Sequence, residues 1–566
     1  MARIDEQNSE FSQESLIMKK IKRIKRKNII ILLILLIFYF IWQGLTIDID
    51  LIPHDESIVY MGFKRTLDGH QLYSEIFYGY GPIAPHVYAF FMRIFGDSLL
   101  TVRWIFTFFY SLVIISGYFL CRKFMSPVWA AFGILAASFM MFQPIYNYGH
   151  VFPALGTIIA ILFIIEPPRS FVLSGLATGL VLLHKPLPVG IVLYGAIILF
   201  FLFRYRGISV NWSLGFIKYN LGTLIITAPF YLYYLIVCPF DMIHNMLFFR
   251  QGAMSNYMFQ FGFTNILSYI ITVFQTSNFS EFYLAAKDLY YVLLVYLPIL
   301  IFVSTLYLLK PGIYLHKFNA GELPSVYFIR RKPFSFVLGK YILIFLSFIA
   351  PFYMIQIYIH GGRPGREIGF LLYPAIFITV YWLSQLYYRI RKRYSIPVIA
   401  GAVLFFILPS AYLLRTDIYA HELTVGKLKG IRVSEKMYDV IEGVTDYADD
   451  FDNPTIMTWG RSVDIYNMTF KSRNIFGDNL MEIRFSMNMP DLVQSVEVIE
   501  KDILPIVSER LPQLIITGRR DIVSDGFRRL IDEHYTLGYQ SGDFVGFYDR
   551  DKDFKYCFGT KVYRRK

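Results

Sequence analysis

Two carboxylates stand side by side at Asp55 and Glu56, just past the first long apolar segment of the chain. Asp55 follows Pro53-His54 and fits an N-cap, whose side chain accepts a backbone N–H bond. A carboxylate held within reach of an acceptor hydroxyl also serves as a general base. The two readings are compatible. Successive helical residues point in different directions. The acids are therefore expected to do different jobs, one facing a cavity and the other a neighbouring helix or basic residue. Five cations stand at the ends of other apolar segments: Arg103, Lys185, Arg250, Arg363 and Arg366. Arginine clamps a phosphate through two parallel hydrogen bonds, and lysine acts as a point charge. Each cation also has an ordinary reading, as a snorkelling side chain or a partner for Asp48, Asp50 or Asp55. As a group, with "HGGRPGRE" (His360 to Glu367) at a helix start, they suggest an anion site. His54, Tyr146, Asn147 and His150 also lie at segment ends, where polar loop residues are ordinary. With Tyr80 they are the candidates to line a substrate cavity. His54, Asp55, Glu56 and His150 are ligand types for a divalent metal, but no close ligand spacing supports one, and no cofactor is required.

These residues need elements to carry them. The chain has 566 residues, 55% hydrophobic and 17% charged, with a mean hydropathy of +0.46. That balance belongs to an integral membrane protein. The net charge of +13 does not call for nucleic acid, because the basic residues cluster beside apolar segments. Cytoplasmic anchoring accounts for them. Aromatics at 18% suit interfacial belts and a sugar- or lipid-lined cavity. Cys121, Cys238 and Cys557 are scattered and form neither a metal spacing nor a disulfide framework.

A span needs roughly 20 apolar residues. Candidates are Asn28–Ile47, Leu99–Leu120, Val128–Ile145, Val151–Ile165, Phe171–Leu183, Leu187–Phe203, Tyr219–Cys238, Leu289–Leu309, Tyr341–Ile359, Ile368–Leu386 and Ile396–Leu414. The short fourth and fifth also read as one broken hairpin. The basic run Lys19 to Lys27 marks a signal anchor and puts residues 1–27 in the cytoplasm. The clusters at Arg122-Lys123, Arg169, Arg204 to Arg206, Lys310 to Lys332 and Arg389 to Arg393 fall on that same side. About eleven spans across residues 28–414 then place residues 415–566 outside. The loops 48–98 and 239–288 lie outside too.

The first outer loop carries two expected interfacial helices, Asp55 to Leu67 and Pro85 to Phe95. Asp68-Gly69 and Gly96 stop them. Between them "YGYGPIAP" (Tyr78 to Pro85) is a turn. The second outer loop is aromatic and Met-rich, and reads equally as a lid or a plain interfacial loop. After Leu414 helix and strand patterns alternate. Helices are expected at Glu435–Tyr447, Val463–Met468, Asp491–Leu511 and Asp525–His534. Strands are expected at Thr455–Trp459, Gln513–Gly518 and Phe544–Arg550, giving a small α/β domain.

The run from His54 to Trp104 resembles the first extracytoplasmic loop of GT-C-fold glycosyltransferases. The nearest group is the protein O-mannosyltransferase and aminoarabinose-transferase-like superfamily. The shared features are the acid pair, Gly69, Tyr73, the tyrosine/Gly-Pro turn, "FGDS", and an Arg opening the second span. "LSGLATGLVLLHKP" (Leu173 to Pro186) resembles the family's Gly-spaced helix ending in Lys. "REIGFLLYPAIF" (Arg366 to Phe377) is a looser match, with Glu367 where the family has an aromatic. The resemblance implies a polytopic α-helical membrane protein of GT-C fold with a C-terminal extracytoplasmic α/β domain, set in a prokaryotic plasma membrane. It implies transfer of a sugar from a polyprenyl-phosphate donor to an extracytoplasmic protein, glycolipid or cell-wall glycan, with inversion. Asp55 would take the catalytic acid position and Glu56 the second acid. Lys185, Arg366, Arg363 and Arg103 would lie near the donor phosphate. A multi-span transporter of a lipid or anionic solute is the competing reading, which the large outer domain and the odd span count fit poorly.

Overall fold

The computed structural model describes residues 28–49, 51, 53–76, 78–123, 125–141, 148, 151–165, 171–185, parts of 190–198, 212–247, 419–451, 455–459, 473–474, 504–518, 524–540 and 560–566. The expected spans from Leu289 to Leu414, the second outer loop beyond Leu247, the helix Val463–Met468 and the strand Phe544–Arg550 lie outside the described residues.

Among the described residues, three helices are long and apolar enough to cross a membrane. The first is α1 (Asn28–Thr46). Its buried residues Leu35, Tyr39, Trp42, Gln43 and Thr46 recur at helical spacing and form one stripe. The stripe meets α4 (Leu99–Arg122), where the Tyr39 hydroxyl donates to the Thr107 carbonyl at 3.3 Å. Ile30, Leu33, Ile37 and Ile41 remain exposed on the rest of α1, the surface a lipid would cover. Ser98 caps α4 by accepting the Thr101 N–H at 3.1 Å. The third long helix is the 26-residue one at Trp212–Val237, labelled α8 below.

Two helices of the first outer loop precede α4. Helix α2 is Pro53–Leu67 and α3 is Ile83–Phe95. The chain leaves α2 through Gly69 at φ +92° and α3 through Gly96 at φ +95°, the left-handed stops expected from the sequence. Helix α3 begins two residues earlier than expected. Pro85 lies in its first turn, where backbone N–H groups have no intrahelical acceptor and a proline costs nothing. Phe90, Ile94 and Phe95 stay exposed on α3, as an interfacial helix requires.

After α5 (Pro127–Met141), α6 (Val151–Ile165) and α7 (Phe171–Leu182) are separate packed helices of 15 and 12 residues. At a rise of about 1.5 Å per residue they are roughly 22 and 18 Å long. Each is shorter than the ~30 Å hydrocarbon thickness. Helix α7 packs closely on α8 through small residues. A Cβ on Gly175 would stand 2.0 Å from the Tyr219 carbonyl oxygen, and one on Gly222 would stand 2.2 Å from that of Val172. The Thr223 hydroxyl donates across the contact to the Gly175 carbonyl at 3.2 Å. A short helix, α9 (Pro239–Leu247), follows α8.

The C-terminal part begins with a small antiparallel pair, β1 (His421–Glu422) and β2 (Arg432–Val433), followed by α10 (Glu435–Asp449). A five-stranded mixed sheet is built from β3 (Thr455–Trp459), β4 (Arg473–Asn474), β5 (Leu514–Gly518), β6 (Tyr535–Gln540) and β7 (Thr560–Arg565), in the order β4-β3-β5-β7-β6. Strand β3 runs parallel to β4 and β5, and β7 runs antiparallel to both β5 and β6. Helices α11 (Leu504–Arg510) and α12 (Asp525–His534) complete the described part. The two apolar strands expected from the sequence are the sheet's centre, with Ile456, Met457, Leu514, Ile515 and Ile516 fully buried. Strands β6 and β7 were not expected: Gly538 and a register shift interrupt β6, and the basic residues of β7 hide its alternation.

The C-terminal part touches the first loop. Arg432 Nε and Nη2 donate to the Asp48 carboxylate at 2.7 and 2.9 Å. Lys427 Nζ donates to Asp97 Oδ1 at 2.5 Å, with Lys64 3.7 Å from the same carboxylate. Partial burial would raise the Asp97 pKa, but the hydrogen bond from Lys427 and the charges of Lys427 and Lys64 outweigh it. They hold the carboxyl below the ordinary range.

Two outcomes follow. Gly175→Val forces α7 from α8 and lowers the thermal unfolding temperature in detergent, with a loss of roughly 1–3 kcal/mol or more. The Asp97 tie acts through an anion whose folded pKa lies below its unfolded value of about 3.9. Its contribution is therefore complete above the unfolded value and is lost as pH falls through the folded one. The difference in unfolding temperature between wild type and Asp97→Asn stays flat from about pH 7 to about pH 5, then narrows as pH falls below the ordinary carboxylate range.

Candidate active site

Glu56 is in the first turn of α2, and its side chain is completely buried. A carboxylate out of water needs a charge partner and hydrogen bonds. Arg103, in the second turn of α4, supplies both. Its Nε donates to Glu56 Oε1 at 3.0 Å and its Nη2 to Oε2 at 2.8 Å, a two-pronged pair. The Tyr148 hydroxyl donates a short hydrogen bond to Oε1. Arg103 Nη1 donates to the carbonyls of Ile47 and Ile49 at 2.7 and 3.4 Å. The pair therefore joins the end of α1, the start of α2 and the start of α4.

Arg103, expected among the cations of a donor phosphate, is 1% exposed and bonds to Glu56 and to the carbonyls of Ile47 and Ile49. Glu56 is a partner of Arg103 that the ordinary reading did not name, and Asp48, which it did name, pairs with Arg432. The backbone of His54 and Asp55 falls in the first turn of α2, and their side chains lie outside the described residues.

Lys185 follows the end of α7 and is fully buried. Its ammonium stands 5.4 Å from the centre of the Tyr80 ring. The same ring stacks on His184 with centroids 5.5 Å apart. The tyrosine/Gly-Pro turn thus reaches the end of α7, and backbone bonds hold it there. The Gly81 N–H donates to the His184 carbonyl at 2.8 Å and the Ile83 N–H to that of Leu183 at 3.3 Å. A Cβ on Gly81 would meet the Leu183 oxygen at 2.1 Å, so only glycine permits this approach. Tyr73, at φ +75°, braces the turn by donating its hydroxyl to the Tyr80 carbonyl at 2.9 Å. Its own carbonyl accepts from Asn245 of α9 at 3.0 Å.

Aromatic side chains connect the two clusters. Tyr88 donates to the Tyr148 carbonyl at 2.9 Å, and the Phe152 ring lies 6.2 Å from Tyr88 and 6.3 Å from His184. Tyr148 is the functional residue that sequence reasoning missed. It sits in "YNYGH", from which Tyr146, Asn147 and His150 were singled out, and no periodicity there picks one tyrosine over another. Tyr146, Asn147, His150, Arg250, Arg363 and Arg366 lie outside the described residues. Among the described residues no group of three His, Cys, Asp or Glu could hold a metal ion.

No protein-family model matches the chain, and no curated protein does. Among solved structures, it is similar to ArnT from Cupriavidus metallidurans bound to undecaprenyl phosphate, at 12% identity and a TM-score of 0.45. That match covers 94% of this chain and 97% of that one. It is also similar to the archaeal oligosaccharyltransferase AglB from Archaeoglobus fulgidus in complex with an inhibitory peptide and a dolichol-phosphate. There the identity is 12% and the TM-score 0.47, over 91% of this chain and 73% of that one.

Removing one member of the buried pair leaves an uncompensated charge. Arg103→Met is expected to lower stability by about 3–5 kcal/mol. Combining it with Glu56→Gln costs less than the two losses added together, by more than about 1 kcal/mol. Thermal or denaturant unfolding of the four proteins in detergent measures that coupling.

Proposed function

We propose that this chain is an integral membrane glycosyltransferase of GT-C type, moving a sugar from a polyprenyl-phosphate carrier to an acceptor hydroxyl outside the cytoplasm. One observation carries the reading. The loop bearing the adjacent acids is fixed at α2 by Glu56–Arg103 and is bound through Gly81 and Tyr80 to the end of α7 at Lys185. An acid and a cation from distant parts of the sequence thus belong to one aromatic-walled region. The motifs of the resemblance stated above are the same residues.

In the proposed reaction Asp55 takes the proton of the acceptor hydroxyl as its oxygen attacks the anomeric carbon. The bond from that carbon to the phosphate oxygen breaks on the opposite face, so the configuration inverts. The polyprenyl phosphate leaves with a second negative charge. Lys185 stabilises it, with Arg363 and Arg366 as further cations. A cation fixed in advance in a water-poor site stabilises developing charge without reorganisation. Glu56, Arg103 and Tyr148 position the first turn of α2. Position 55 starts about 100° around the helix axis from position 56, so the two acids leave the helix in different directions.

The test is transfer of labelled sugar from polyprenyl-phosphate donors to extracted envelope acceptors by the full-length protein in nanodiscs. Asp55→Asn is expected to lower the turnover by about 10²–10⁴-fold. Lys185→Met is expected to lose turnover more than donor binding. Full activity in Asp55→Asn removes Asp55 as the base. No transfer by wild type with any polyprenyl-phosphate sugar, under conditions where the protein stays folded, removes the function.

A further inference from the structure

The short stretch Ile47–Ile49, where α1 ends, is held from two directions. The carbonyls of Ile47 and Ile49 accept from Arg103 at 2.7 and 3.4 Å. The carbonyl of Asp48, between them, accepts the Arg432 N–H at 2.6 Å, and the Asp48 carboxylate accepts Arg432 Nε and Nη2 at 2.7 and 2.9 Å. Arg432 comes from the C-terminal domain, 384 residues away in sequence. Ile49 also pairs with Arg432 as an isolated parallel bridge. Alternate carbonyls of one strip therefore serve the buried pair and the outer domain.

The same outer segment grips the start of α4. Lys427 donates to Asp97 at 2.5 Å, one residue before the Ser98 cap, and Gly430 packs so closely on Leu100 that a Cβ would stand 2.9 Å from its Cδ1. Gly430 has φ +87°, so its conformation suits glycine alone. Asp97 further receives the Tyr60 hydroxyl of α2 on its carbonyl. Residues 426–433 thus touch both backbone strips that carry Arg103, the end of α1 and the start of α4. They also reach α2, which carries Glu56, through Asp97.

We infer that Arg432 is a positioning residue of the site: the outer domain sets the placement of Arg103 and Glu56, and with them the first turn of α2, through the Ile47–Ile49 strip. A planar guanidinium bonded to a carboxylate by two nitrogens and to the adjoining carbonyl by its own N–H fixes orientation as well as distance. A lysine keeps the charge and the N–H bond but not the fork. The domain then does more than cover the loop, because its hold reaches the buried acid through one shared strip of backbone.

The inference rests on the proposed transfer activity for its kinetic arm only. Its other arm, amide hydrogen exchange of the full-length protein in nanodiscs, needs no activity. Arg432→Ala is expected to speed exchange across residues 47–62 and 97–104 while residues 171–182 of α7 keep wild-type protection. Turnover falls by about tenfold, as misplacement away from the reacting atoms does. The KM for the lipid donor stays within about twofold, the pattern of a lost transition-state interaction. Arg432→Lys gives an intermediate loss in both arms. The reversal Asp48→Arg with Arg432→Asp recovers both relative to either single change, which a general loosening of the domain does not. Lys429→Ala, on the exposed side of the same segment, leaves both arms as in wild type. Faster exchange in Arg432→Ala confined to residues 419–433, with residues 47–62 unchanged, overturns the inference whatever the kinetics. So does unchanged turnover in Arg432→Ala where wild type is active. An inactive wild type with exchange spreading into residues 47–62 removes the transfer reaction and keeps the positioning.

Discussion

A guanidinium and a carboxylate taken out of water together are stable only while each keeps the other. That constraint, met at Arg103 and Glu56, fixes one end of the helical part. Three pieces of chain meet there because the pair cannot be satisfied by two. Glu56 comes from α2, Arg103 from α4, and the remaining donor of Arg103 needs the carbonyls at the end of α1. Tyr148 brings a fourth piece, the stretch before α6. Any slip in one strip exposes a buried ion, so the strips hold in register as a unit. Apolar packing around them, from Phe63, Tyr88 and Phe152, excludes the water that would otherwise compete for those bonds.

The loop between α2 and α4 is then a stiff arm. Its first helix is fixed by the ion pair, and its turn is fixed 25 residues later by backbone bonds from Gly81 and Ile83 to the end of α7. Between the two anchors Tyr73 accepts a left-handed backbone conformation, which costs a non-glycine residue on the order of 1–3 kcal/mol. Its amide donates to the Ile76 carbonyl and its carbonyl accepts from Asn245, so the surroundings impose the conformation. Helix α9, which supplies Asn245, opens the second outer loop of the sequence, so that loop begins already attached to the turn beside Lys185. Short α6 and α7, glycine contact of α7 with α8, and the descending turn are one arrangement. A short helix leaves room at its end, and the turn occupies part of that room.

Much of this was legible in the sequence where local chemistry dictates structure. Gly69 and Gly96 mark helix stops because their backbones need positive φ, and both helices end there. The strands Thr455–Trp459 and Leu514–Gly518 are mostly apolar because both faces are covered, and even Thr458 and Thr517 are buried in them. Strands β6 and β7 escaped notice because Gly538 and a register shift at Leu537/Tyr539 break the period of "YTLGYQ", and Lys561, Arg564 and Arg565 interrupt that of "TKVYRR". At the site, the acid pair and Lys185 stood out by type and position. The partner of Arg103 did not, because four acids between Asp48 and Glu56 compete for it in sequence. Only the angle at which α2 meets α4 selects among them. Tyr148 and Arg432 carry no local signal at all, since each is defined by a contact with a distant residue.

The choice of Glu56 over its neighbours has a consequence for the proposed chemistry. A base needs an oxygen open to the acceptor hydroxyl, and the fully buried Glu56 carboxylate already accepts from Arg103 and Tyr148. Glu56 is therefore suited to holding the first turn of α2. In the proposed reaction the working acid is its neighbour in the same helix turn, so one helix start would serve both a fixed carboxylate and a working one. The same logic explains why the outer domain attaches at Ile47–Ile49 rather than at α2 itself. A grip on the strip that satisfies Arg103 steadies the buried pair from behind, which is the positioning inferred for Arg432.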